Sequence, residues 1–340
     1  MSRRRRWAGS GFVSEAGAVD EVLIGTLVGS TLRVSVPLIL CALAGTLSER
    51  AGVIDLGLEG KMLLTAFTAG AVGAVSGSLW LALGAAVLVG VALSMLHGYA
   101  CVTHRGDQVV LGMAITMTAA GLTVVLGIAL FQQGGQTPPL TDAVRLAPWG
   151  RGLGEVVANI PVVGRALAIS LFGHTAFVYL SLALVGAVWW LLFRTRLGLR
   201  LRAAGENPAM VDAAGVSVQR LRYQALALNG VLSAFAGSYL VLAQNPSFIP
   251  NMTAGRGYMA LAAMIFGKWH PVGALAACLL FGFLDAASIR LQGTELPLLG
   301  AVPVQAIQAL PYLLTVVLLA GFIGHAHAPS ALGRPYVKER

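Results

Sequence analysis

Apolar and polar positions along this chain alternate in long blocks, without the two-residue alternation of half-buried strands. Several apolar runs approach the roughly 20 residues a helix needs to cross a bilayer, and short polar joints separate them. The pattern predicts helical spans at 30–48, 54–76, 79–102, 108–131, 176–194, 222–243, 258–269, 272–291 and 304–324. The run 258–269 is too short to cross as a straight helix and ends at Lys268-Trp269-His270-Pro271, so it reads as a half-helix or a tilted partner of the next span. The expected fold is all-α: a polytopic transmembrane helical bundle of about 8–10 spans with one broken or short helix. Trp80-Leu-Ala-Leu-Gly84 and Trp269-His-Pro-Val-Gly273 each open a span, and the two spans run in opposite directions. Inverted repeats do this, and two matched positions also arise by chance.

Composition supports the membrane reading. The 340 residues are 57% hydrophobic and 11% charged, with mean hydropathy +0.78, whereas soluble domains carry about 25% charged residues. The 42 glycines suit close helix approach in lipid. A net charge of +9 reads as the basic excess of cytoplasmic loops, and no nucleic-acid-binding module is visible. Cys41, Cys101 and Cys278 lie far apart inside apolar runs without CxxC partners, so they read as packed thiols; no metal site or catalytic constellation is expected. The stretch MSRRRRWAGSGFVSEAGAVD has basic residues but no apolar core behind them, so it does not read as a secretory signal.

Charge sets the orientation. Glu49-Arg50, His104-Arg105, the six arginines of 194–222, Lys268 and the tail 325–340 fall on the cytoplasmic side, which leaves 132–175 outside. The second half of that outer stretch, NIPVVGRALAISLFGHTA, reads as an amphipathic interfacial helix, and the stretch as a docking surface. Nine crossings with the C-terminus inside put the N-terminus outside, whereas Arg3 to Arg6 argue for inside. Residues 1–29 are therefore expected to form a basic tail with an interfacial segment at 19–30, ahead of a permeation domain at 30–324.

Residues 194–222 read RTRLGLRLRAAGENPAMVDAAGVSVQRLR, with Arg194, Arg196, Arg200, Arg202, Arg220 and Arg222 flanking a short insert. Asn207 is a favoured N-cap, Pro208 suits the first helical position, and Gly215 suits a stop at positive φ. PAMVDAA between them makes about two turns, too short to persist alone, so something must hold it. An ordinary cytoplasmic loop with one helical turn is the competing reading. Ser217 is placed to cap the next helix.

A second cluster is SERAGVIDLGLEGKM at 48–62. Asp55 and Glu59 are four apart, on one face if the helix is continuous. Glycines there favour a break, and a broken helix lining a path competes with a cytoplasmic turn in which Glu59 pairs with Lys61 or Arg50 and Asp55 caps. Thr116, Thr118, Asn229, Ser233, Gln305 and Gln308 are polar positions inside spans; Asn229, Ser233 and the same-face pair Gln305 and Gln308 are candidates for a solute path, with interhelical hydrogen bonding as the alternative. No Walker-type phosphate loop, HExxH or GxSxG is present.

SERAGVIDLGLEG, RAAGENPAMVDAAGV, GRGYMALAAMIFGKWHPVGA and LPYLLT, in this order, resemble the permease subunits of bacterial ABC importers for nucleosides and simple sugars, with ribose and branched-chain amino-acid permeases as more distant relatives. The resemblance covers about residues 30–324. It implies a multi-pass protein of the bacterial plasma membrane that binds no cofactor itself. It implies three partners: a cytoplasmic ABC ATPase that binds ATP, a second and paralogous permease subunit, and an extracytoplasmic substrate-binding lipoprotein. It also implies that Gly205, Glu206, Asn207, Pro208, Met210, Val211 and Gly215 form the coupling helix that docks on the ATPase, so that a charge at Val211 uncouples transport. The family pattern carries Asn where this chain has Asp55, which implies that Asp55→Asn is tolerated. An ion- or proton-coupled secondary transporter, with Glu59 or Asp285 as its proton site, is the alternative from another class.

Overall fold

The computed structural model describes residues 10–149, 151–158, 164–291, 295–296, 300–301, 309, 313 and 327–337. The first element is one long helix, α1 (Ser10–Arg50), which extends the expected span 30–48 at both ends. At 1.5 Å per residue it measures about 60 Å, twice the apolar thickness of a bilayer. Its interior Pro37 cannot donate to the Arg33 carbonyl. That carbonyl is satisfied from another helix, by Tyr239 Oη at 3.1 Å and Gln244 Nε2 at 2.9 Å. These two bonds replace the one that Pro37 cannot make.

A turn at 51–57 leads to α2 (Leu58–Ser76), so the second span starts four residues later than its apolar pattern suggested. Then come α3 (Leu79–Gly98), ending in a π-helical turn at Tyr99–Thr103, and α4 (Gln108–Phe131), whose N-terminus is capped by Asp107. The outer stretch holds two short helices, α5 (Arg151–Ala158) and α6 (Gly164–Leu171), where the sequence predicted one. Next are α7 (Ala176–Arg194), the cytoplasmic pair α8 (Arg196–Glu206) and α9 (Pro208–Ala213), and α10 (Val218–Tyr239), which ends in a π turn at Leu240–Gln244. Finally α11 (Arg256–Phe266), α12 (Pro271–Leu291) and a two-residue antiparallel pair, β1 (Glu295–Leu296) with β2 (Gly300–Ala301), close the described bundle.

Among the described residues seven helices are long and apolar enough to cross a membrane. The eighth apolar helix, α11, has 11 residues and spans about 16 Å, half a bilayer, as its short apolar run implied. Of the expected span 304–324 only residues 309 and 313 are described, and Gln305 and Gln308 lie outside the described residues. Helices α1, α2 and α10 form the centre, and the outward faces of α3 and α4 are largely exposed. Small residues allow the tightest crossing. Gly90 on α3 meets Gly230 on α10, and a Cβ on either would collide with the other's backbone. The three cysteines are buried and free.

Contacts gather the charged joints at one end of the bundle. Arg50 Nε donates to the Trp269 carbonyl at 2.9 Å, and Gly205, Gly52 and Ala331 meet at the same end of the bundle. The charge clusters expected on the cytoplasmic side therefore lie together. At the other end Gly29 packs against Ile169 and His174 of the outer stretch. The segment 22–29 thus belongs to the outer end of a continuous helix and does not form a separate segment lying along the interface. Arg3 to Arg6 lie outside the described residues. The two tryptophans of the suspected repeat differ: Trp80 is exposed, whereas Trp269 is buried and donates to Glu49 Oε2 at 2.6 Å.

Candidate functional site

At the cytoplasmic end Thr195 stops α7 and caps α8, accepting from the Gly198 amide at 3.1 Å. The arginine-rich run is thus a helix of its own, which charge counting alone did not separate. Arg202 returns to the C-terminus of α7, donating to the Leu192 carbonyl at 3.0 Å with its guanidinium over Phe193. After α8 the chain turns at Asn207, whose Oδ1 accepts from the Met210 amide at 3.2 Å and starts α9 with Pro208 at its first position. Gly215 ends the segment at φ +79°, and Ser217 caps α10 through the Arg220 amide.

The insert therefore forms the short capped helix that Asn207, Pro208 and Gly215 predicted. Its side chains divide sharply. Val211 is 7% exposed and packs with Ala51, Leu201, Ala204, Val218, Leu221 and Ala225, tying α9 to the bundle. A charge there would break this packing, so it is no clean probe of docking. Met210 and Leu199, by contrast, are 69% and 61% exposed, beside an apolar groove of about 480 Å³ between α8 and α9. Gly205 also faces inward: a Cβ would strike the Arg50 carbonyl.

The C-terminal tail closes over this joint. The Ala331 amide donates to the Gly205 carbonyl at 2.8 Å, and Gly333 to Gly52 at 3.3 Å. Ser330 donates to the Glu206 carboxylate from its amide at 3.2 Å and its hydroxyl at 2.9 Å. Arg222 is 1% exposed and reaches the Arg334 carbonyl at 3.1 Å. Counted as a surface charge from sequence, it is a buried strut between α10 and the tail.

Deeper in the bundle lies a knot of polar groups. Asp55 sits in the turn before α2, not on the helix, so it does not share a helical face with Glu59. It accepts from the Gly57 amide at 3.1 Å and pairs with Lys61 at 2.5 Å, both side chains fully buried. Lys61 also donates to Asn229 Oδ1 at 3.2 Å, and the Asn229 amide donates to the Ala44 carbonyl at 3.0 Å and to Ser48 Oγ at 3.3 Å. Ser94 joins at Asn229 Oδ1, and His97 stands 3.5 Å from Asp55. One asparagine thus links α1, α2, α3 and α10. Ser233 bonds back to the Asn229 carbonyl at 2.8 Å. Glu59 pairs with neither Lys61 nor Arg50. It accepts from the Gly255 and Gly257 amides at 2.8 and 2.6 Å, capping the half-helix α11 from another helix.

A family profile described as branched-chain amino acid transport system / permease component matches residues 27–323. The chain belongs to this permease family. The guanosine ABC transporter permease protein NupQ of Bacillus subtilis is 37% identical, covering 93% of this chain and 98% of the relative. The nucleoside ABC transporter permease protein NupC of Lactococcus lactis is also 37% identical, covering 92% and 97%. The permease TsgC13 of Haloferax volcanii, named for glucose transport, is 34% identical over 92% and 98%. This permease is accordingly a multi-pass protein of the plasma membrane, the transport component of an ABC system whose ATPase is a separate subunit and which works with a substrate-binding protein.

Sequence reasoning found most of the polar groups of this permease but not their partners. His97 and Ser94 were missed because a single polar residue in an apolar run carries no local signal. Asp55, Glu59, Asn229 and Ser233 are all buried, and each is bonded within the bundle. Asp285 is partly buried on α12.

Proposed function

We propose that this permease imports a nucleoside, with a simple sugar second, as one half of a heterodimer with a paralogous permease. The carrying observation is the capped helix α9 with Met210 and Leu199 exposed beside an apolar groove on the cytoplasmic face. An isolated helix of this length is unstable in water, and an exposed methionine beside such a groove suits a protein partner. The partner we assign is the ATPase, with Asn207, Pro208 and Met210 at the contact and Gly205, Glu206, Val211 and Gly215 holding the helix in place. ATP-driven closure would move α8–α9 against α10 through the hydrogen-bonded joint and open the path on alternate sides. We assign Asp55, Glu59, Asn229 and Ser233 to the framework of the path, since their bonds are already made within the bundle.

The nucleoside assignment rests on the two relatives at 37% identity that are named for guanosine and nucleosides. The test is uptake of labelled guanosine and glucose in cells carrying the whole transporter. Guanosine uptake that needs the ATPase and survives an uncoupler supports the reading. Glucose uptake alone moves the assignment to sugar. Uptake that persists without the ATPase and collapses with an uncoupler makes it a secondary transporter.

A further inference from the structure

At the outer end of the bundle, between α1, α10 and α12, lies a cavity of about 640 Å³, within the usual range of about 300–1,000 Å³ for small-molecule sites. The first residue of the half-helix, Arg256, lines it, together with Arg33 of α1 and Arg290 of α12. None of the three forms a salt bridge among the described residues, and no Asp or Glu is among the described residues lining the cavity. Arg33 has one side-chain bond, to Ser30 Oγ at 3.1 Å. Three like charges with no counter-charge among the described lining residues focus a positive field on whatever enters.

The amides of the wall add a second condition. Gln244 Nε2 is committed to the Arg33 carbonyl that Pro37 leaves open, and Asn245 Nδ2 to the Leu240 carbonyl at 3.0 Å. Each of these bonds uses one of the two N–H groups on its amide nitrogen, and Oε1 of Gln244 and Oδ1 of Asn245 are acceptors. The backbone amides at the start of α11 are also taken, by Glu59. What the cavity offers is therefore guanidinium donors together with side-chain amides that present oxygen acceptors.

We propose that this cavity is an outer receiving site for oxopurine nucleosides, an inference that rests on the nucleoside reading above. An oxopurine presents a carbonyl and a ring nitrogen side by side, the acceptor pair that an arginine fork matches. Its N1–H, and in guanosine the exocyclic amine, are donors for the amide oxygens. Adenosine places a donor where the oxopurine has its carbonyl. Inorganic phosphate offers strong acceptors to the arginines but few donors to the amide oxygens.

The experiment is uptake kinetics of the complete transporter with guanosine, inosine and adenosine. The variants are Arg256→Gln, Arg256→Lys and Arg290→Gln, each normalised to permease present in the membrane. Arg256→Gln is expected to raise KM for guanosine and inosine about tenfold and to change adenosine less than about twofold. Arg256→Lys keeps the charge but loses the fork and recovers only part of the effect. If Arg256→Gln does not reach the membrane, Arg290→Gln, at the exposed end of α12, is expected to show the same selectivity. Equal loss for all three nucleosides, unchanged kinetics in the variants that reach the membrane, or competition by inorganic phosphate at micromolar concentration overturns the inference while leaving nucleoside import intact. A wild-type transporter that takes up no nucleoside overturns both.

Discussion

The coupling joint and the buried polar knot use the same residue types to opposite ends. In the knot, Asp55, Lys61, Asn229 and Glu59 satisfy one another and the backbone across four helices and a half-helix. At the joint, Asn207, Ser217 and Thr195 spend their hydrogen bonds on local caps, and the apolar side chains of Met210 and Leu199 are left in the open. A region whose hydrogen bonds run between its own helices resists being pulled apart. A region with exposed apolar groups on a short helix is where another protein can take hold. On the proposed coupling, the difference divides the permease into a stiff body and a handle, joined by Val211, Arg222 and the tail.

The sharpest break of this comparison is Asp55→Asn. It leaves Lys61 buried without its counter-charge, which costs about 3–5 kcal/mol. Thermal unfolding in detergent should show the loss, and Lys61→Met in the same chain should restore much of it. Tolerance of Asp55→Asn, as the family pattern implied, would mean that the ion pair does not hold the knot. Removing residues 328–340 comes next. The tail's five hydrogen bonds to Gly52, Gly205, Glu206 and Arg222 are worth about 0.5 kcal/mol each at this largely exposed joint, so the joint should loosen by about 2–3 kcal/mol. Protease cleavage within 205–217 should rise while the bundle stays intact; no change would detach the tail from the joint.

Glu59→Gln tests how the knot holds the half-helix. Exchanging an ionised acceptor for a neutral one at a helix N-terminus costs about 1–2 kcal/mol. Hydrogen exchange at 255–257 should accelerate before exchange elsewhere does. The smallest effect is expected of Asn207→Ala, which removes one cap worth about 1 kcal/mol. It should weaken ATPase stimulation without lowering the unfolding temperature of the bundle.

How much of this was legible in the sequence follows from the same contrast. Caps act within three residues, so Asn207, Pro208, Gly215 and Ser217 could be read directly, and the length of the run 258–269 predicted a half-helix. Partners in the knot lie 168 and 196 residues apart. No local pattern shows that Glu59 caps α11, that Lys61 reaches Asn229, or that Arg222 turns inward to the tail. Val211 was misread as a docking contact because apolar character on a six-residue helix does not reveal which side faces the bundle.

The most direct test of the account is Met210→Glu in the complete transporter, with ATPase activity and nucleoside uptake measured together. Met210 projects from the handle, and the bundle does not need it for packing. A carboxylate there would be buried unpaired in the assembled interface. The account predicts normal membrane level and unfolding temperature, with uptake and substrate-stimulated ATPase both reduced at least about tenfold. Normal uptake and normal stimulation in this variant would contradict the assignment of α8–α9 as the ATPase contact.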